Sequence, residues 1–242
     1  MSRTEVDENP ASEISPSLSI ELTIDIPCFC FDVLARRLLN SVPVDPTHLP
    51  LDRVPLFITW RSFNRLRGCI GTFRPRAFRQ ELVAYALASA FDDRRFVPIS
   101  FDELSGLVCC VSILGDFEPC SHRRDWQVGI HGLKIVFTIS NTRYNATYLP
   151  DVASEHNWSK EQTIYSLIRK AGYKGRINQN LLNSLNVVRY KSFKVSADFT
   201  DYTRSVYYRS TFLNLDRTIY HLFWPLTIGS YQAIRILTVR PY

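Results

Sequence analysis

Cys69 stands between two glycines in the run Leu66-Arg67-Gly68-Cys69-Ile70-Gly71-Thr72-Phe73-Arg74, with Arg67 two residues ahead of it. A thiol reacts as its thiolate, and a permanent positive charge nearby favours that form. Side chains alternate along an extended strand, so Arg67, Cys69 and Gly71 fall on one face. Glycines inside a strand-like run mark a bulge, or a place where a backbone or ligand comes close. These residues describe a nucleophilic or redox thiol, or an anion site, with Gly68 and Gly71 clearing the space. They equally describe a tight strand whose cysteine is a small buried hydrophobe.

Three further positions carry candidate chemistry. His131 sits between Gly129 and Gly132, where it can serve as a general base for a neighbouring thiol, or simply as a turn residue bonded to backbone. Asp93 and Arg95 follow an apolar helical stretch, and Arg95 has the fork that clamps a carboxylate or phosphate. Phe96 and Pro98 would hold that loop; a structural ion pair is the plainer account. Residues 61–79 hold six arginines and no acid. Phosphate contact is the functional reading, but no aromatic-interleaved RNA signature accompanies them, so nucleic acid is open and unsupported.

Other classes fall away. There is no phosphate-cradling glycine loop, no G-x-S-x-G elbow and no pair of carboxylates, which removes NTPase, α/β-hydrolase and glycosidase readings. The six cysteines contain no C-x-x-C pair. No metal and no cofactor is expected.

The elements that must position these residues alternate in kind. A helix is expected over 28–40 with one apolar face, followed by a proline-rich connection. Strands at 56–60 and 67–73, joined by a polar turn at 61–64, form an antiparallel hairpin. Residues 77–91 are apolar almost all round beyond Leu82, so they are expected as a buried helix across the sheet. A strand at 107–114, a second hairpin from 133–139 and 144–149, and a strand at 187–197 follow. Between them, 159–172 is the clearest helix: Ser159 and Gln162 form a capping box, and Gly172 stands at its stop. Hairpins with intercalated helices argue for an α+β fold.

The chain has 242 residues, 45% of them hydrophobic, ordinary values for a globular protein. Residues 1–26 carry one arginine against six acids; residues 27–204 carry 24 Lys and Arg against 16 acids. The first 19 residues lack any period, and 1–26 are read as a disordered acidic tail. No signal peptide opens the chain, which suits an intracellular protein with reduced thiols, in cytoplasm or nucleus. Residues 205–242 are read as an atypical apolar extension, poorly ordered. Their uncharged run at 218–234 is broken by His221, Pro225 and Gly229, so no membrane span is expected.

At 66–73, LRGCIGTF, the chain resembles the AMME chromosomal region candidate protein family, whose hallmark is that LRGCIG core. Blocks at 28–34, 55–60, 93–98 (DRRFVP), 125–132 (DWQVGIHG), 146–152 and 162–172 follow in family order. The resemblance covers about residues 27–204. It implies a compact α+β domain with an antiparallel sheet, a larger and a smaller lobe, and the hallmark at a cleft between them. Prokaryotic relatives in that family often occur beside, or fused to, MEMO-like and radical-SAM proteins, an association rather than a mechanism. The chain departs from the family in its 205–242 extension.

Two functions from different classes remain. One is a binding module whose glycine-lined cleft receives an unknown protein or a small anionic ligand. The other is a thiol-dependent enzyme using Cys69 on an anionic substrate, with Arg67 and Arg95 as anion holders and His131 as base. Whether the chain is an enzyme stays open at this level.

Overall fold

The computed structural model describes residues 20–42, 45, 49, 50 and 52–212. Six strands form one curled antiparallel sheet in the order β2-β1-β3-β6-β4-β5. They are β1 (Arg53–Ser62), β2 (Arg65–Ala77), β3 (Leu107–Pro119), β4 (Gly132–Ile139), β5 (Thr142–Tyr148) and β6 (Asn186–Asp198). Helices α1 (Asp25–Leu38), α2 (Phe78–Phe91), α3 (Pro150–Glu155), α4 (Lys160–Lys170), α5 (Gln179–Asn183) and α6 (Phe199–Phe212) pack against it, with a 3-10 turn at Phe101–Gly106. The fold is α+β, as the hairpin pattern requires.

Two cores divide the molecule. The larger gathers Phe29, Phe31 and Leu34 of α1, Leu56, Ile58 and Trp60 of β1, Leu82 of α2, and Val111 and Ile113 of β3. The smaller gathers Trp126, Leu133, Ile135 and Phe137 with Ile164, Leu167 and Ile168 of α4. Strand β6 gives Ala197 to the larger core and Val187 to the smaller, and its pairing with β3 and β4 holds the lobes together.

The helices differ from expectation in an instructive way. Helix α1 is buried continuously from Ile26 to Arg36, while α2 buries only Phe78, Leu82, Ala86, Ser89 and Ala90. Helix α1 lies between the sheet, α2 and α6. Its polar residues are admitted because they pair: buried Asp32 accepts from the Tyr202 hydroxyl at 3.0 Å and from Arg209 at 3.2 Å. Alanines let α2 lie close without being enclosed.

Strands also run longer than their apolar cores. Strand β1 starts at Arg53 and absorbs Pro55 at a register shift between Val54 and Leu56, beyond its pairing with β3, where a missing N–H costs little. The hairpin tip is two residues, Phe63-Asn64, rather than four. Strand β3 continues past Gly115 through an irregularity that ends at Glu118. Helices α3, α5 and α6 are too short or too polar for a clear period. Helix α6 carries the boundary placed at residue 204 inside it, so 205–212 continue a helix. The tail expected over 1–26 is corrected at its end, where Ile20 and Ile26 are buried in the larger core and α1 begins at Asp25; residues 1–19 and the rest of the extension, 213–242, lie outside the described residues. No described helix is long and apolar enough to cross a membrane.

Candidate functional site

Strand β2 is an edge of the sheet, and its first half is sealed by the chain itself. Gly68 lies opposite Trp60, whose indole N–H donates to the Ala86 carbonyl at 3.1 Å. This contact draws α2 onto the strand so tightly that a Cβ at Gly68 would lie 1.8 Å from the Ser89 carbonyl oxygen. At Gly71 a Cβ would lie 2.2 Å from the Leu56 carbonyl oxygen and 2.6 Å from the Phe57 ring. Both glycines make room for the protein's own atoms. The expectation of a glycine-lined ligand cleft is corrected here: helix backbone and a phenyl ring already occupy the space.

The outward backbone of Cys69 meets Asp93 and Arg95. The Cys69 N–H donates to Asp93 Oδ2 at 2.9 Å, and Arg95 Nη2 donates to the Cys69 carbonyl at 3.3 Å. Arg95 also forks onto Asp93 at 2.9 and 2.7 Å, with its guanidinium 5.4 Å from the centre of the Phe96 ring. Arg95, with the backbone N–H groups of Cys69 and Arg95, holds the Asp93 carboxyl well below its ordinary range. Two side chains thus supply the donor and acceptor that a further strand would bring, the usual protection of an edge. Asp93, Arg95, Phe96 and Cys69 do come together, but as a capped backbone.

Arg67 is equally committed. Its guanidinium forks onto Glu103 at 2.6 and 2.9 Å and donates to the Val97 and Pro98 carbonyls at 2.7 and 3.2 Å. Arg67 lowers the Glu103 carboxyl pKa, helped by the Ser100 N–H. The role given to Arg67, partner of the thiol, is replaced by one as clasp of the loop at 93–103. Glu103 itself was missed, although Ser100 and Glu103 form a capping box visible in the sequence.

The Cys69 side chain faces the other side of the sheet, half-buried. Its sulfur accepts from Thr59 Oγ1 at 3.2 Å, and among the described residues no histidine bonds to it. His131 lies elsewhere. In the row of Cys69 the partners are Thr59, Cys110 and Ser196, whereas Gly132 pairs with Tyr190, six residues down β6. At ~3.3 Å per residue that separation is about 20 Å. His131 Nδ1 accepts from the Gln127 N–H at 3.0 Å. Burial, then the charges of Arg189 and Lys191, lower its pKa. It is a turn residue, and among the described residues no hydrogen bond joins a cysteine to a histidine.

The open feature lies where the lobes meet. A cleft of about 270 Å³ is lined by Pro55, Phe73, Arg74 and Pro75 from one lobe and by Lys134, Asn145, Ala146 and Thr147 from the other, with Phe117 and Tyr190 on the shared strands. The Tyr190 hydroxyl donates to the Tyr148 carbonyl at 2.8 Å and meets Thr147 Oγ1 at 3.0 Å, and burial pushes its pKa up. Phe117 stacks on Tyr190 at 5.0 Å, and Phe73 stands edge-on at 6.5 Å. Asp116, at φ 52°, marks the bulge that turns Phe117 into this stack. Aromatic walls with two cationic side chains suit an apolar body carrying negative charge. Nothing in the cleft pairs a nucleophile with a base. Among the described residues no group of three or more His, Cys, Asp or Glu is placed to hold a metal.

Comparison with known proteins places this arrangement. An uncharacterised protein of Schizosaccharomyces pombe is 40% identical over 184 residues, covering 74% of this chain and 94% of its own. One from Arabidopsis thaliana is 41% identical over 181 residues, covering 72% and 84%. The crystal structure of the uncharacterised protein PH0010 from Pyrococcus horikoshii superposes with a TM-score of 0.57 at 24% identity, covering 71% of this chain and 89% of that one, which speaks to the fold. The AMMECR1 family model matches residues 27–195, a span that holds the sealed strand and both walls of the cleft, and the chain belongs to the AMMECR1 family.

Proposed function

We propose that this protein is a binding module whose working surface is the cleft between its lobes, and that the cleft takes a small anionic ligand with a flat apolar body. One observation carries the reading. Phe73 and Phe117, packed on the buried Tyr190 ring, border a cavity with Arg74 and Lys134, while the residues that looked catalytic are consumed by the fold. The six cysteines, none in a disulfide, suit the reducing cytoplasm or nucleus as its setting. The test is a titration with aromatic carboxylates and aryl phosphates, followed by amide NMR shifts. Shifts gathered on Phe73, Lys134, Asn145 and Thr147 support the proposal; shifts scattered over the surface, or none, overturn it.

A second reading keeps thiol chemistry at Cys69, favoured by its half-exposure and by the Thr59 hydroxyl on its sulfur. The pH dependence of its alkylation decides this. An apparent pKa well below the ordinary value of about 8.5 identifies an activated thiol; resistance to labelling in the folded protein removes it.

A further inference from the structure

The two hairpins turn on the same backbone with different residues. Phe63-Asn64 connects Ser62 to Arg65, and Ser140-Asn141 connects Ile139 to Thr142. All four loop residues are left-handed, at φ 47°, 62°, 46° and 63°. Such a turn favours small or polar residues. Ser140 is one. Phe63 places a phenyl ring at the equivalent position and leaves it 87% exposed. The turn gains nothing from that ring, and the core gains nothing either.

The surroundings of Phe63 have the makings of a contact surface. The ring leans past Gly106 and borders a shallow hollow of about 520 Å³ lined by Ser62, Arg65, Leu66, Arg67 and Glu103. Arg67 and Glu103 neutralise each other on its floor. Arg65 is exposed on the rim, and Arg61, also exposed, donates to the Asn64 carbonyl at 3.3 Å. The exposed acids of this end of the sheet are Asp102 on the Phe101–Gly106 turn and Asp198, in the row of Arg61 and Val108. Val97, whose carbonyl Arg67 holds, is 74% exposed.

We propose that this end of the β1–β2 hairpin docks an acidic segment of a partner protein. An apolar side chain of that segment lies against Phe63 and Leu66, and its carboxylates meet Arg65 and Arg61. A rigid aromatic beside arginines is the composition of interface anchors. A two-residue turn fixes the backbone that carries the ring, which limits the ordering cost. A lipid surface would find the arginines but has no protrusion to fill a hollow with a fixed ion pair at its base. The site lies at the opposite end of β2 from Phe73, and its success or failure is separate from that of the cleft.

The test begins with selection of short random peptides displayed on phage against the full chain. Enriched peptides are titrated by fluorescence anisotropy against the wild type, Phe63→Ser, Arg65→Glu and Phe73→Ala. Phe63→Ser keeps a residue the sister hairpin accepts in this turn, so the fold is preserved. The expected peptides are acidic with an apolar residue. Their affinity falls about tenfold on Phe63→Ser and about threefold on Arg65→Glu, weakens with salt, and is unchanged by Phe73→Ala. Failure to enrich acidic peptides, equal binding to Phe63→Ser, or loss on Phe73→Ala instead each overturns the proposal. Sedimentation with phosphatidylcholine–phosphatidylserine vesicles that Phe63→Ser abolishes overturns it too, and assigns the surface to a membrane.

Discussion

The two halves of β2 have opposite fates. From Arg67 to Gly71 the strand carries the charged, glycine-rich residues that look like a site, and neighbours engage them: the Ser89 carbonyl over Gly68, Asp93 and Arg95 on the Cys69 backbone, Glu103 on Arg67. From Phe73 to Pro75 the same strand carries an exposed ring and a proline, and there it opens on the cleft. Unusual residue types mark the stretch where packing is most demanding. The cleft proposed to receive a ligand is lined by aromatic, cationic and polar residues drawn from both lobes.

The largest effect that would break this comparison is at Gly68. A methyl there must displace the backbone of α2, so Gly68→Ala is expected to cost about 3 kcal/mol or more in urea unfolding. Wild-type stability would mean that the first half of β2 is open after all.

Next is the edge cap. Asp93→Ala leaves the Cys69 N–H and the Arg95 guanidinium without their acceptor, with an expected loss of about 2 kcal/mol. The same carboxylate gives a pH signature. Its folded pKa is depressed, so its contribution is complete above the unfolded value near 3.8 and is lost as pH falls from there toward the folded value. Urea midpoints measured from neutral pH to about pH 3 should fall less steeply on the acid side in Asp93→Asn than in the wild type. Parallel curves would show that the cap is not charged.

The cleft predicts the reverse balance. Phe73→Ala should change stability by less than about 1 kcal/mol, because the ring is already partly in water, yet weaken an aromatic carboxylate about tenfold. Lys134→Glu should weaken it as well. Unchanged affinity in both variants would remove the cleft as the site. Smallest of all is Cys69→Ser, where a hydroxyl can still accept from Thr59 and the expected change is under about 1 kcal/mol. A loss of biological activity without loss of stability would restore the thiol to the centre.

Much of the framework is local and therefore readable. The capping box Ser159–Gln162 forms as its spacing requires, with bonds of 2.8 and 3.2 Å. The apolar runs at Leu56–Trp60 and Leu107–Leu114 become the centres of β1 and β3 because alternation and β-branching act within a few residues. The α+β class, the hairpins and the family likeness all rest on short-range order of this kind. So does the recognition that Gly68 and Gly71 mark close approach.

What approaches them is a different matter. That Ser89 rather than a ligand fills the space at Gly68, that Asp93 serves the backbone of Cys69 from 24 residues away, and that His131 lies about six strand positions from the thiol's row depend on how distant segments meet. The same holds for α1, expected with one apolar face and yet buried from Ile26 to Arg36, where Tyr202 and Arg209, distant in sequence, pair with Asp32. The cleft joins Phe73 to Tyr190 through strands that share no sequence neighbourhood. Periodicity tells which residues avoid water; it carries no information about which partner excludes it, and that is decided by the register of the sheet and the packing of helices upon it.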